Sequence, residues 1–300
     1  MAAVPSLHEP ASHVLRRIVR AHPGRLSLTG GLVVVENALD LFYPLAAGFA
    51  IDAVLAGELR HAWLYVGLIL VFWSVGAARR AIDTRVYSRI YAGLATEVIT
   101  AQQRLGVERS AIHARATLSR QFVDFFEVEV PTLVTALAGI VGSAVMLLVL
   151  EPTVGAVAAV VLLVAVLASR PYLARSEFLA ACLHARQERE AASIDTARPL
   201  RIARHFRITG GRRVALSDLE AKAYVGVGVV TAGLFALAFV HLAGESGTTA
   251  GHLYTVTSYL WTFAFGLDDL PQHLAQLGRL RELGTRIRPG LDADDDADED

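Results

Sequence analysis

One cysteine and one lysine are all that 300 residues hold of either type, and each scarcity excludes something. With Cys182 alone there can be no disulfide framework and no cysteine metal cluster. Lys222 stands in Glu220-Ala-Lys-Ala-Tyr with no glycine loop before it, so no stretch fits the phosphate-cradling G-x-x-x-x-G-K-[ST] pattern. The first 25 residues carry Pro5, Pro10, Pro23 and four arginines but no apolar core, which argues against a cleavable signal peptide. Ten histidines are present, yet no two stand at i and i+4 and no H-E-x-x-H occurs. A metal site is therefore not expected, although one gathered from distant segments stays open. No G-x-S-x-G turn supports a Ser-His-Asp nucleophile, and the chain is not expected to be an enzyme.

The most informative lack is of positive charge along one set of segments. The composition is 54% hydrophobic with a mean hydropathy of +0.44, too apolar for an ordinary soluble domain. Six apolar stretches fall at about 26–50, 62–78, 132–150, 153–169, 224–242 and 253–267. Several are shorter than the roughly 20 residues that cross a bilayer, but each continues on one side into a charged helical pattern. Of the 28 Lys and Arg, 27 lie in segments on one side of the implied membrane; only Arg60 lies on the other. The excess of basic residues on cytoplasmic loops then places both termini inside and makes the chain a multi-pass protein of the plasma (inner) membrane. The net charge of −1 hides this bias, because seven of the last nine residues, Asp292 to Asp300, are acidic. A basic inner face suits anionic membrane lipids and requires no nucleic acid.

The outer connections are short, at Asp52 to His61, Glu151-Pro152 and Ala243 to His252. The inner ones, Arg79 to Pro131 and Arg170 to Ala223, are about 50 residues each and rich in Ala, Glu, Arg, Gln and Leu, which favour helix. They read as two long helical hairpins, with breaks at Gly106, Pro199 and Gly210-Gly211. The organisation is an N-terminal cytoplasmic segment (1–25), a six-span membrane domain (26–288) and a disordered acidic tail (289–300).

Local sequence adds a resemblance. The run Leu41-Phe42-Tyr43-Pro44 through Ile51-Asp52 to Gly57, with its Pro, Gly and Ile-Asp pair, resembles the end of the first helix in the transmembrane domain of ATP-binding cassette exporters. Gly251-His252-Leu253 through Tyr259, and Leu283-Gly284-Thr285-Arg286-Ile287, are similar to that family's last helix and its exit toward the ATPase. The likeness spans about 13–288 and departs in one place: Arg109 to Arg120 stands where a Thr-Gly-Glu-Leu run is usual. The resemblance implies an all-α integral membrane fold of six helices with two long cytoplasmic hairpins, in a stand-alone form without the nucleotide-binding domain. It further implies a homodimer or heterodimer around a shared translocation pathway, with no cofactor in this chain and ATP used only through a separate ATP-binding subunit. Two alternatives stand beside it. One is a membrane scaffold or regulator that keeps the fold without transport; the other is an ion-coupled transporter.

Candidate site residues follow. Glu36 and Asp40 share one face of the first span, and ionisable groups at membrane depth are functional candidates. They bind a cation or cationic substrate, line a hydrated vestibule, or pair with arginine on a neighbouring helix. With Thr255, Ser258 and Tyr259 they form the expected pathway set. The ATPase-coupling surface implied by position comprises Arg109 and Arg115 in a short helix at 107–117, and Arg201, Arg204, Arg207, Arg212 and Arg213 in a second at 201–213. A solvated basic face beside anionic lipid is the plainer reading of the same arginines. Asp268 and Asp269, before Pro271, are expected to cap a following helix. Gly226, Gly228 and Gly233 are expected to permit close helix packing.

Overall fold

The apolar runs and the charged Ala/Glu/Arg stretches that follow them fuse into single helices far longer than a bilayer is thick. The computed structural model describes residues 20, 23–104, 120, 123–194 and 199–286. Six helices result among these residues, with no strand: α1 (Pro23–Leu55), α2 (Leu59–Arg104), α3 (Val130–Leu150), α4 (Pro152–Ile194), α5 (Pro199–Gly244) and α6 (Ala250–Arg286). A π-helical turn, Phe125–Glu129, leads into α3. It ends two residues before Pro131, whose ring supplies no N–H and crowds the preceding turn, so a wider turn relieves the ladder there. The acidic tail, Gly106, most of the N-terminal segment and the 107–117 segment lie outside the described residues.

Five helices, α1 to α5, are long and apolar enough to cross a membrane. The expected sixth span is a helix, α6, of 37 residues, but it falls outside that group. Its membrane-length stretch is diluted by Tyr254, Thr255, Thr257, Ser258, Tyr259 and Thr262.

Two sequence expectations about breaks are corrected. Gly210 and Gly211 do not interrupt α5, which runs 46 residues through them. Two glycines cost about 1 kcal/mol each in a helix; the packing of α5 on α4, where Arg212 Nη1 donates to the Cys182 carbonyl at 3.1 Å, outweighs that. The 201–213 segment is accordingly the start of a long helix, not a short one. Likewise Asp268 and Asp269 cap nothing, because α6 continues through them and through Pro271. Pro199, by contrast, opens α5 at a position where a missing N–H is harmless.

The helices build two compact units, residues 1–139 with 276–300, and residues 140–275. In the first unit α1 and α2 form an antiparallel hairpin. Gly57, at φ 77°, ends α1: Gly57 N–H donates to the Val54 carbonyl at 3.1 Å and Glu58 N–H to the Ala53 carbonyl at 2.8 Å. This double closure with a left-handed glycine is the common way to satisfy the last carbonyls of a helix. Tyr43 on α1 packs against Tyr65 and Phe72 on α2, with ring centroids at 5.2 and 6.4 Å. Further along, Val86, Ile90 and Val123 form a buried cluster with Leu26, Ile82, Tyr87, Tyr91 and Leu94 packed on it.

In the second unit Leu147, Val154, Ala158, Ala238, Val256, Tyr259, Leu260 and Phe263 are almost completely buried. Gly266 lets α6 approach α3: a Cβ there would lie 2.8 Å from Ile140 Cβ. Gly266→Val is therefore expected to destabilise the protein by about 1–3 kcal/mol, with Ile140→Ala relieving part of the loss; thermal unfolding of the single and double variants checks this. Gly226, Gly228 and Gly233 have no neighbouring atom within 4 Å of such a Cβ. Close packing at these three glycines is thus not formed among the described residues.

Candidate functional site

The expected acidic pair on α1 is split by its surroundings. Glu36 accepts a hydrogen bond from Arg79 Nε on α2, and Arg79 Nη1 donates to Asp83 Oδ2 at 3.1 Å. One guanidinium thus bridges two carboxylates on neighbouring helices. Side-chain exposure is 18% for Glu36 and Arg79 and 7% for Asp83, so the pair is largely withdrawn from solvent. Gly76 makes the approach feasible, since a Cβ there would meet Glu36 Oε1 at 3.0 Å. Asp83 Oδ1 is buried without a hydrogen-bond partner among the described residues. Asp40, one turn from Glu36, is exposed.

The level of the bridge along the hairpin is informative. Glu36 and Arg79 lie some 20 residues from the Ala56–Glu58 turn on their respective helices, roughly 30 Å at 1.5 Å per residue. That is about one hydrocarbon thickness. The ion pair therefore belongs where the helices leave the apolar layer, not at its midplane, and an arginine partner on a neighbouring helix is what Glu36 has.

Thr255 and Tyr259 are 2% and 1% exposed, inside the packing of the second unit, and Thr255 Oγ1 donates to the Gly251 carbonyl at 2.8 Å. Ser258 is half-buried. The two buried residues are packing elements of the chain as it stands; Ser258 keeps some access.

Of the basic coupling set, Arg204, Arg207 and Arg213 are exposed along the start of α5, while Arg212 is tied to the α4 backbone. The side chain of Arg201 is not among those described, and Arg109 and Arg115 lie outside the described residues. Arg213 flanks a groove between α4 and α5 lined by Leu183, Phe206, Thr209, Leu216 and Glu220. A half-exposed aromatic, Phe206, beside Arg213 and Glu220 is suited to an amphipathic partner surface.

One cluster was not among the sequence expectations. Glu151 is the sole residue between α3 and α4, and it is 3% exposed. Its Oε1 lies 2.7 Å from His252 Nε2 at the start of α6, and its Oε2 lies 3.3 Å from His241 Nε2 near the end of α5. Glu245, one turn after His241, adds an oxygen 3.7 Å from the same nitrogen. Glu151 and His252 are 101 residues apart, so only the meeting of two helix connections brings them together. The readable signals were the i, i+4 spacing of His241 and Glu245 and a lone acid wedged before a proline between two apolar runs.

Comparison with known proteins adds one result to this geometry. The family described as the ABC transporter transmembrane region matches residues 15–251. No curated protein matches the chain.

Proposed function

Because the chain belongs to the ABC transporter transmembrane family, we propose that it is the membrane-spanning subunit of an ABC-type transporter, working as a dimer with a separate ATP-binding subunit. The observation that carries the reading is the family match over residues 15–251 of an all-helical, multi-pass membrane chain. The exposed apolar surface fits lipid and a second copy: Trp63, Leu64, Leu70 and Trp73 on α2 are each at least 65% exposed. The one-sided distribution of 27 of the 28 basic residues supports a plasma-membrane orientation with both termini in the cytoplasm. No stretch of the sequence fits the phosphate-cradling G-x-x-x-x-G-K-[ST] pattern, and this reading assigns ATP binding and hydrolysis to the separate subunit.

In this reading the long α4–α5 hairpin receives force, and Arg204, Arg207 and Arg213 present its contact surface. Asp40 and Ser258 are the pathway candidates with access to a solute. The ion-coupled alternative is weakened by Glu36, whose carboxylate is held by Arg79. The scaffold alternative is separated by partner recovery. Mild extraction of the tagged chain is expected to bring down a stoichiometric ATPase, and its absence from repeated preparations counts against the transporter reading. Changing Arg204, Arg207 and Arg213 together to glutamate is expected to cut the co-purified ATPase at least tenfold without altering membrane insertion. Undiminished recovery from that variant would remove these arginines from the coupling surface.

A further inference from the structure

We propose that Glu151, His241 and Glu245 form a binding site for a borderline divalent metal ion of the zinc class, with His252 as the positioning residue behind it. The cluster lies at the end of the second unit where the α3–α4 turn and the α5–α6 connection meet. One atom each from Glu151, His241 and Glu245 all lie within 4.8 Å of one another. A tetrahedral zinc with bonds of about 2.0–2.1 Å holds its ligand atoms roughly 3.3–3.5 Å apart. The Glu151 Oε2 to His241 Nε2 separation of 3.3 Å already meets that spacing. The 3.7 Å between His241 Nε2 and Glu245 Oε1 needs only a small adjustment of a side chain that is 52% exposed.

The surroundings match what such a site needs beyond its ligands. Glu151 is nearly fully buried, and its second oxygen is engaged by His252 Nε2 at 2.7 Å. A hydrogen bond to the far oxygen of a ligating carboxylate fixes its orientation and tunes its basicity. His252 is itself placed by the helix start, where its backbone N–H donates to Thr249 Oγ1 at 3.1 Å. The 245–249 connection is shaped by Gly247 at φ 116° and by Thr248 Oγ1, which donates to the Leu242 carbonyl at 3.0 Å. Glu245 and His241 open to solvent, leaving a fourth position for water. One imidazole with two carboxylates favours zinc-like ions over calcium or magnesium, which take more oxygen ligands. A bound ion would clip the α5–α6 connection to the α3–α4 turn. This inference stands independently of whether the chain moves a solute.

The test is equilibrium dialysis of the full chain in detergent against zinc after chelator treatment, with bound metal measured by mass spectrometry. One zinc per chain is expected, undisturbed by millimolar magnesium or calcium. Glu245→Gln, at an exposed side chain, is expected to weaken binding at least tenfold while leaving metal-free thermal stability unchanged. His241→Gln is expected to abolish binding, and His252→Gln to weaken it about 10–100-fold, the usual effect of losing an outer hydrogen-bond partner. Zinc retained equally by wild type and by the Glu245 and His241 variants would place the ion elsewhere and overturn the site. Failure of wild type to bind zinc would leave the cluster a hydrogen-bonded clasp and overturn it as well.

Discussion

Replacing Arg79 with glutamine is expected to lower the stability of the detergent-solubilised protein by about 3–5 kcal/mol, the cost of removing one partner from a buried ion pair. The reason lies in what is left behind. Glu36 on α1 and Asp83 on α2 both lean on the same guanidinium, and both are largely buried. Without it, two carboxylates face each other across a helix pair with no cation between them. Asp83→Asn should behave differently. Asp83 Oδ1 has no hydrogen-bond partner among the described residues, so one of the two negative charges is poorly compensated even in the native protein. Neutralising it is expected to change stability by less than about 1 kcal/mol. Adding Glu36→Gln to Arg79→Gln should recover part of the loss, since the stranded charge is then removed. Unfolding followed through Trp63, Trp73 and Trp261 measures all four proteins. Equal losses from Arg79→Gln and Asp83→Asn would show that the bridge is not organised around the arginine.

The contrast between Glu36 and Glu151 shows which parts of this molecule could be read from its sequence. The helices were legible because apolar runs near membrane length continue into Ala-, Glu- and Arg-rich stretches that favour helix. Pro199 was legible as a break in the second inner hairpin because its ring fits only certain backbone positions, and it stands at the first residue of α5. Gly210-Gly211 and Asp268-Asp269 misled for a shared reason: both are local signals, and packing along a long helix overrode them. An arginine partner for Glu36 was among the readings of its own pattern, because a buried acid narrows the choices. Its identity was not, because Arg79 sits at the same level only through the register of the α1–α2 hairpin, set by Gly57 and by Tyr43 against Tyr65 and Phe72. The Glu151 cluster was less legible still. It depends on two connections, separated by the whole of α4 and α5, closing on one point. Histidine spacing along the chain carries no trace of that. The stretch 253–267 was read as an apolar span; its Thr, Ser and Tyr residues dilute it, and α6 packs through Thr255 and Tyr259 in the second unit while α2 exposes tryptophan and leucine.

The same α3–α4 turn bears the second large effect. Gly155→Ala is expected to destabilise the protein by at least about 3 kcal/mol, the upper end of what one added methyl costs in a packed site. A single residue, Glu151, separates the two helices. The turn closes through Glu151 N–H to the Leu147 carbonyl at 2.8 Å and Gly155 N–H to the Glu151 carbonyl at 2.9 Å. Helices reversed so abruptly run against each other at once, and a Cβ on Gly155 would fall on the backbone of Leu148. Flexible side-chain ends can step aside; a backbone held inside a helix cannot. The added methyl must therefore lever α4 away from α3, which also shifts Leu147 and Val154, both fully buried beside the turn. Gly226→Ala supplies the control. It adds the same methyl to the same kind of helix, but with nothing within 4 Å to meet it, and alanine is the better helix former by roughly 0.5–1 kcal/mol. Gly226→Ala should thus leave the unfolding temperature unchanged or raise it, while Gly155→Ala lowers it sharply. Moving Glu151 would also pull its carboxylate from His241 and His252, so Gly155→Ala should weaken zinc binding at the proposed site along with stability. A Gly155→Ala protein as stable as wild type would mean that the turn is wider than a one-residue connection allows.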